Sequence, residues 1–211
     1  MLATPVIEIS EFSRLASAAQ IERTMQALEA NNIHTILAEN GAVAKKKLFE
    51  ILPGDAEVFT SNSVTLNALG ISDEIDKSGH YVSVRAKLGE MDPKTQTREM
   101  QKMGATPEYM IGSVHAVTET GRILIASLSG SQLAGYAAAA EHIIWVVGTQ
   151  KIVPTLEEGI RRLQEYTLPL EDARAFKAYG IHSSINKLLI VKKEVIPGRT
   201  TMILVKENLG F

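Results

Sequence analysis

Three loops of small polar residues carry the groups in this chain that could do chemistry. Thr118-Glu119-Thr120-Gly121 sets one carboxylate in a short connection between two apolar segments. A glutamate framed in this way can serve as a nucleophile, a general base or a hydrogen-bond acceptor. A solvated hairpin turn accounts for the same four residues. Ser61-Asn62-Ser63-Val64-Thr65 supplies hydroxyls and free backbone N–H groups, a combination that suits a phosphate or carboxylate or, with no ligand, a plain helix cap. Ser127-Leu128-Ser129-Gly130-Ser131 has the same character, and its glycine would let a ligand approach the backbone as readily as it would serve a tight turn. Gln132 follows directly, and Lys151 in Gly148-Thr149-Gln150-Lys151 adds a cation after a β-prone run.

Other chemistries are excluded or disfavoured. No G-x-G-x-x-G opens a helix after a strand, and no G-x-x-x-x-G-K-[ST] occurs. Gly112-Ser113-Val114-His115-Ala116 lacks the final glycine of a nucleophile elbow. His34, His80, His115, His142 and His182 lie far apart without ligand spacing, so they read as surface or packing residues and no structural metal is expected. The chain has no cysteine, which rules out disulfides, thiolate nucleophiles and an iron–sulfur cluster ligated by its own thiolates. A redox centre would therefore belong to a partner, and no covalently bound cofactor is expected. A net charge of −2 with interspersed signs gives no basic face for nucleic acid. Met1-Leu2-Ala3-Thr4-Pro5 has no cationic leader, and apolar runs fall short of the roughly 20 residues of a membrane span. The expectation is a cytoplasmic protein.

The elements that must position these loops alternate. A stripe of Leu15, Ala18, Ile21, Met25 and Leu28 predicts an outer helix over residues 13–30. A strand follows at 33–37, and then a helix capped by Asn40 and stopped by Pro53-Gly54. Residues 56–60 read as a strand leading into Ser61-Asn62-Ser63 and a helix through Leu69. Residues 70–104 are poorly patterned, with a strand at 81–84 and a helix between Asp92-Pro93 and Gly104. Further strands are expected at 114–117, 123–126, 143–147, 187–191 and 201–205. Thr155 and Glu158 have capping-box spacing, and Glu157–Arg161 and Glu158–Arg162 would be i,i+4 pairs worth a few tenths of a kcal/mol each. With 45% hydrophobic residues and no linker, residues 1–211 read as one α/β domain with a mainly parallel sheet, joined by antiparallel strands where 114–126 doubles back.

Four segments resemble the LUD domain, the lactate-utilisation (LutC/YkgG-like) family. They are Ser61-Asn62-Ser63-Val64-Thr65-Leu66; Ser113-Val114-His115-Ala116-Val117-Thr118-Glu119-Thr120-Gly121; Val147-Gly148-Thr149-Gln150-Lys151-Ile152-Val153-Pro154; and the tail from Ile185-Asn186-Lys187 to Leu209-Gly210-Phe211. The resemblance implies a three-layer α/β/α fold similar to the NagB/RpiA/CoA-transferase group and to 5-formyltetrahydrofolate cyclo-ligase. By analogy with that fold, Glu119 gains a nucleophilic role. The resemblance also implies a part in oxidising L-lactate or a related 2-hydroxy acid alongside iron–sulfur oxidoreductase subunits, with a small anionic ligand bound by Ser61, Asn62, Ser63, Thr65, Thr118, Thr120, Gly121, Ser129, Gly130, Ser131, Gln132 and Lys151. It leaves room for a homo-oligomer. The chain departs from its relatives at Gln132, where many carry arginine, and at His80-Tyr81, where the residue before tyrosine is usually basic. A glutamine cannot replace the charge of an arginine that clamps an anion bidentately, which points to a changed substrate or a lost one.

Three functions compete: an accessory subunit of 2-hydroxy-acid oxidation; a stand-alone enzyme for a CoA ester, sugar phosphate or folate; and a non-catalytic binding or scaffold protein.

Overall fold

In the computed structural model the described residues are 11–211, and Met1-Leu2-Ala3-Thr4-Pro5 lies outside them. Helix α1 (Ala18–Ala30) begins later than the apolar stripe suggests, because Ser17 and Gln20 form a reciprocal capping box. Leu15 falls before that cap and is 49% exposed, so the buried stripe is Ile21, Thr24 and Leu28. Strand β1 (Ile33–Ala38) leads to α2 (Gly41–Ile51), whose first turn is capped by Asn40 as expected. Strand β2 (Glu57–Thr60) runs into the short helix α3 (Val64–Ala68), capped by Ser63. The weakly patterned stretch holds α4 (Ile71–Lys77), β3 (Val82–Ser83), α5 (Val84–Glu90) and α6 (Thr97–Ala105).

Strand β4 (Tyr109–Gly112) is one the sequence pattern does not announce. The expected strand at 114–117 is instead β5 (Ala116–Thr118), which pairs antiparallel with β6 (Ile123–Ser127). Next come β7 (His142–Gly148), β8 (Ile152–Val153), α7 (Leu156–Arg162), α8 (Leu168–Tyr179), β9 (Lys187–Val191) and β10 (Thr200–Val205).

Six strands form an all-parallel sheet in the order β1-β10-β7-β4-β2-β3. Both of its faces are covered, which explains why its central strands read as unbroken apolar runs. Ile143, Trp145, Val147, Met202 and Leu204 face one core with Ile21 and Leu28 of α1. Ile144, Val146, Ile203 and Val205 face the other with Leu48, Leu66, Ile71 and Ile75 of α2, α3 and α4. The result is a three-layer α/β/α sandwich. A second sheet, β8-β5-β6-β9, packs beside α1 on one side and under α7 on the other. No helix among the described residues is long and apolar enough to cross a membrane.

Neither of the expected i,i+4 pairs on α7, Glu157–Arg161 and Glu158–Arg162, is made. Arg161 binds Glu158, Glu11 and Glu165, whereas Arg162 is fully buried and turns inward. Thr155 accepts the Glu158 N–H, but the Glu158 carboxylate is held by Arg161.

Candidate functional site

The parallel sheet fixes where a ligand can sit. In an open α/β sheet the crevice lies beyond the carboxyl ends of the strands. Here the ends of three adjacent strands, β2, β4 and β7, deliver Ser61, Ser113 and Lys151 to one cleft of about 330 Å³. The Ser127-to-Gln132 loop after β6 forms one wall. The other is α8 with the π-turn Leu163–Thr167 that joins it to α7. Such π-turns widen a helix locally and often mark functional sites.

Lys151 is the chemical centre of this cleft. It ends a 3-10 turn (Thr149–Lys151) directly after β7 and is 2% exposed. Its Nζ donates to Ser113 Oγ at 3.1 Å and to Thr65 Oγ1 at 3.2 Å, so both partners among the described residues are neutral hydroxyls. Burial, reinforced by the charge of Arg162, holds its pKa well below that of an ordinary lysine. Arg162 is itself fully buried and donates to the carbonyl of His115, to Thr167 Oγ1 and to the carbonyl of Phe12. Burial lowers its pKa to about 10.

His115 lines the same cleft. Its Nδ1 accepts the Ala126 N–H at 3.1 Å, which places the proton of the neutral ring on Nε2. Desolvation, with Lys151 and Arg162 adding repulsion, lowers its pKa to about 3. The floor is closed by Tyr136, whose hydroxyl donates to Ser61 Oγ at 3.0 Å. Burial raises this phenol to about 12. Gly112 is required here, because an added Cβ would lie 1.8 Å from the Tyr136 hydroxyl oxygen.

One carboxylate side chain lines the cleft, and it is committed. Glu171 of α8 makes two bonds of 2.7 Å to Arg174. The segment Leu209-Gly210-Phe211 folds against the cleft. Thr65 donates to the Leu209 carbonyl at 3.1 Å, and Gln150 donates to Leu209 and Gly210 at 3.0 and 3.3 Å.

The structure therefore brings together Ser61, Asn62, Ser63, Thr65, Ser129, Ser131, Gln132 and Lys151 from the expected set. Gly130 shapes the wall without lining it; its φ of 88° suits glycine, and Lys187 packs where a Cβ would project. Gln132 accepts the Ser127 hydroxyl at 3.0 Å, fixing the loop with a neutral group.

Thr118, Glu119, Thr120 and Gly121 are not brought to the cleft. Their turn is a clamp for α1. Glu119 accepts from Arg23 at 2.7 Å and from Gln20 at 3.0 Å. Gly121, at φ 76°, sits so close to Ala27 that a Cβ would lie 2.9 Å from its carbonyl. Thr118 is buried, with its hydroxyl bonded to that of Thr120 at 2.9 Å. Partial burial raises the Glu119 pKa, but the bonds from Gln20 and Arg23 outweigh it and hold the carboxyl below its usual range.

Pattern reading missed Ser113, His115, Tyr136 and Arg174 as cleft residues, and Arg162 as a buried cation behind them. Ser113 and His115 stood inside the incomplete elbow motif, and their position after a strand was the available signal. Among the described residues no group of three His, Asp or Glu side chains has metal-binding proximity.

The cleft thus lies at the strand ends of a three-layer α/β/α sandwich and is built on a buried lysine among hydroxyls. The chain belongs to the LUD domain family, whose model matches residues 21–205. It is also similar to a solved DUF162 family protein from Deinococcus radiodurans, at 12% identity and a TM-score of 0.56, covering 91% of this chain and 99% of that one. A ribose 5-phosphate isomerase from Plasmodium falciparum aligns at 12% identity and a TM-score of 0.39, covering 81% of this chain and 94% of that one. No curated protein matches.

Proposed function

We propose that the chain binds a small carboxylate of the 2-hydroxy or 2-oxo acid class at the Lys151 end of the cleft. On this reading it is an accessory subunit in oxidation of L-lactate or a related 2-hydroxy acid, in the cytoplasm, beside iron–sulfur partners. The observation that carries the reading is Lys151, buried at 2% exposure with two hydroxyls as its described partners. A buried amine without a counter-anion is unfavourable when protonated, and an arriving carboxylate supplies what is missing. The family supports the substrate class. A cysteine-free chain hands its electrons to clusters carried elsewhere.

One feature favours a second reading. The cleft continues beyond Lys151 along Leu163, Leu168, Ala175 and Tyr179, an apolar wall long enough to suit a CoA ester or folate acted on by a stand-alone enzyme.

A thermal-shift panel separates the two. L-Lactate, glycolate and pyruvate form one arm; acetyl-CoA, ribose 5-phosphate and 5-formyltetrahydrofolate form the other. A ligand at 100 times its Kd stabilises by about 2.7 kcal/mol. Response to the acids alone, together with co-purification of iron–sulfur subunits from the native source, supports the first reading. Response to the larger ligands alone replaces it with the second.

A further inference from the structure

Lys151 has more to offer than charge. A neutral lysine amine carries two N–H bonds and one lone pair. Both N–H bonds have acceptors here, Thr65 Oγ1 at 3.2 Å and Ser113 Oγ at 3.1 Å, so the lone pair is the valence left over. Thr65 is fully committed, since it also donates to the Leu209 carbonyl. The hydroxyl proton of Ser113 has no acceptor among the described residues other than the Nζ lone pair. The site thus sets a nucleophile beside a mobile hydroxyl in a cleft that water-sized and small organic molecules can enter.

We infer that Lys151 forms a Schiff base with a 2-oxo acid. The inference rests on the anion-binding reading given above and specifies the substrate as one with a carbonyl next to its carboxylate. The lone pair of Nζ attacks the C2 carbonyl; the new C–N bond forms as the C=O π bond breaks toward oxygen. One N–H proton passes to that oxygen, with Ser113 placed to relay it, to give the carbinolamine. The second N–H proton leaves with the hydroxyl as water, forming C=N, and no oxidant or reductant is consumed. If the imine takes up a proton, its positive charge is balanced by the substrate's own carboxylate. A buried site without a described counter-anion can hold that neutral pair. Desolvation favours the free amine over ammonium, so more of the nucleophile is available at a given pH than for an exposed lysine.

The test is reductive trapping of the intact protein with pyruvate and cyanoborohydride at neutral pH, followed by peptide mapping, beside a thermal-shift titration with pyruvate alone. The expected result is one 1-carboxyethyl group on Lys151 in the wild type, none at that position in Lys151→Arg, and at least tenfold slower trapping in Ser113→Ala with the adduct still on Lys151. Stabilisation by pyruvate with label only on surface lysines, or with none, overturns the Schiff base and leaves the anion site standing. Neither stabilisation nor label at Lys151 overturns both. Because the wild-type map decides the matter, misfolding of either variant does not rescue the proposal.

Discussion

Ser113 Oγ and Lys151 Nζ lie 3.1 Å apart, each contributed by the residues just past the end of one of two neighbouring parallel strands. The contact is between loops more than thirty positions apart in the chain, and the sheet register alone makes them adjacent.

Lys151→Met should abolish stabilisation by carboxylates while leaving the free protein at least as stable, and more stable by up to about 2 kcal/mol. A methionine removes the desolvation cost and fills much the same volume. Chemical denaturation with and without L-lactate or pyruvate checks both halves.

Carboxylate affinity should weaken as pH rises. In the free protein the Lys151 pKa is depressed, and a bound anion raises it again, so binding takes up a proton between the two values. The sign is a loss of affinity with increasing pH, approaching tenfold per unit within that window. Calorimetric titrations in buffers of different ionisation enthalpy measure the proton directly.

His115 should make the fold acid-sensitive. Its folded pKa of about 3 lies below the 6.5 of an ordinary histidine, so between these the unfolded chain binds more protons. The stability that this group contributes is complete above pH 6.5 and declines as pH falls, by about 3 kcal/mol at pH 4.5. His115→Asn keeps an acceptor at the Nδ1 position for the Ala126 N–H and should flatten this part of the pH–stability curve.

Glu119→Gln should cost about 1 kcal/mol through its bonds to Arg23 and Gln20, and leave ligand binding unchanged. A large loss of binding with intact stability would return Glu119 to the chemistry and contradict the clamp described here.

Gly210→Ala should destabilise by at least about 1 kcal/mol and weaken ligand binding together. The position has a φ of 64°, and a Cβ would lie 2.5 Å from Thr65 Oγ1, one of the acceptors of Lys151.

Legibility followed period and punctuation. The capped helices α1 and α2 and the apolar runs of β7 and β10 announce themselves, because burial of both sheet faces leaves unbroken hydrophobic strands. Strand β4 escaped because four residues ending in Gly112 make a weak run, although it lies between β7 and β2. The loops at Ser61 and Ser129, which composition singles out, both line the cleft. Glu119 was over-read: its framing by apolar residues reflects a hairpin that must dock a helix, and a local pattern cannot tell an inward-facing carboxylate from one answering Arg23. Arg162 was under-read for the opposite reason, since spacing paired it with Glu158 while burial took it to the carbonyl of His115.

The position of β10 also constrains how the molecule is made. Among the described residues, strand β1 is bonded to the sheet only through β10, and β10 is also its link to β7. During synthesis on the ribosome, the amino-terminal β1–α2 unit must therefore wait, unpaired, until residue 205 has emerged. The rear of the cleft closes later still, when Leu209 and Gly210 reach Thr65 and Gln150. A nascent chain held back by even this short stretch would display an apolar strand edge, and no ligand could shelter it.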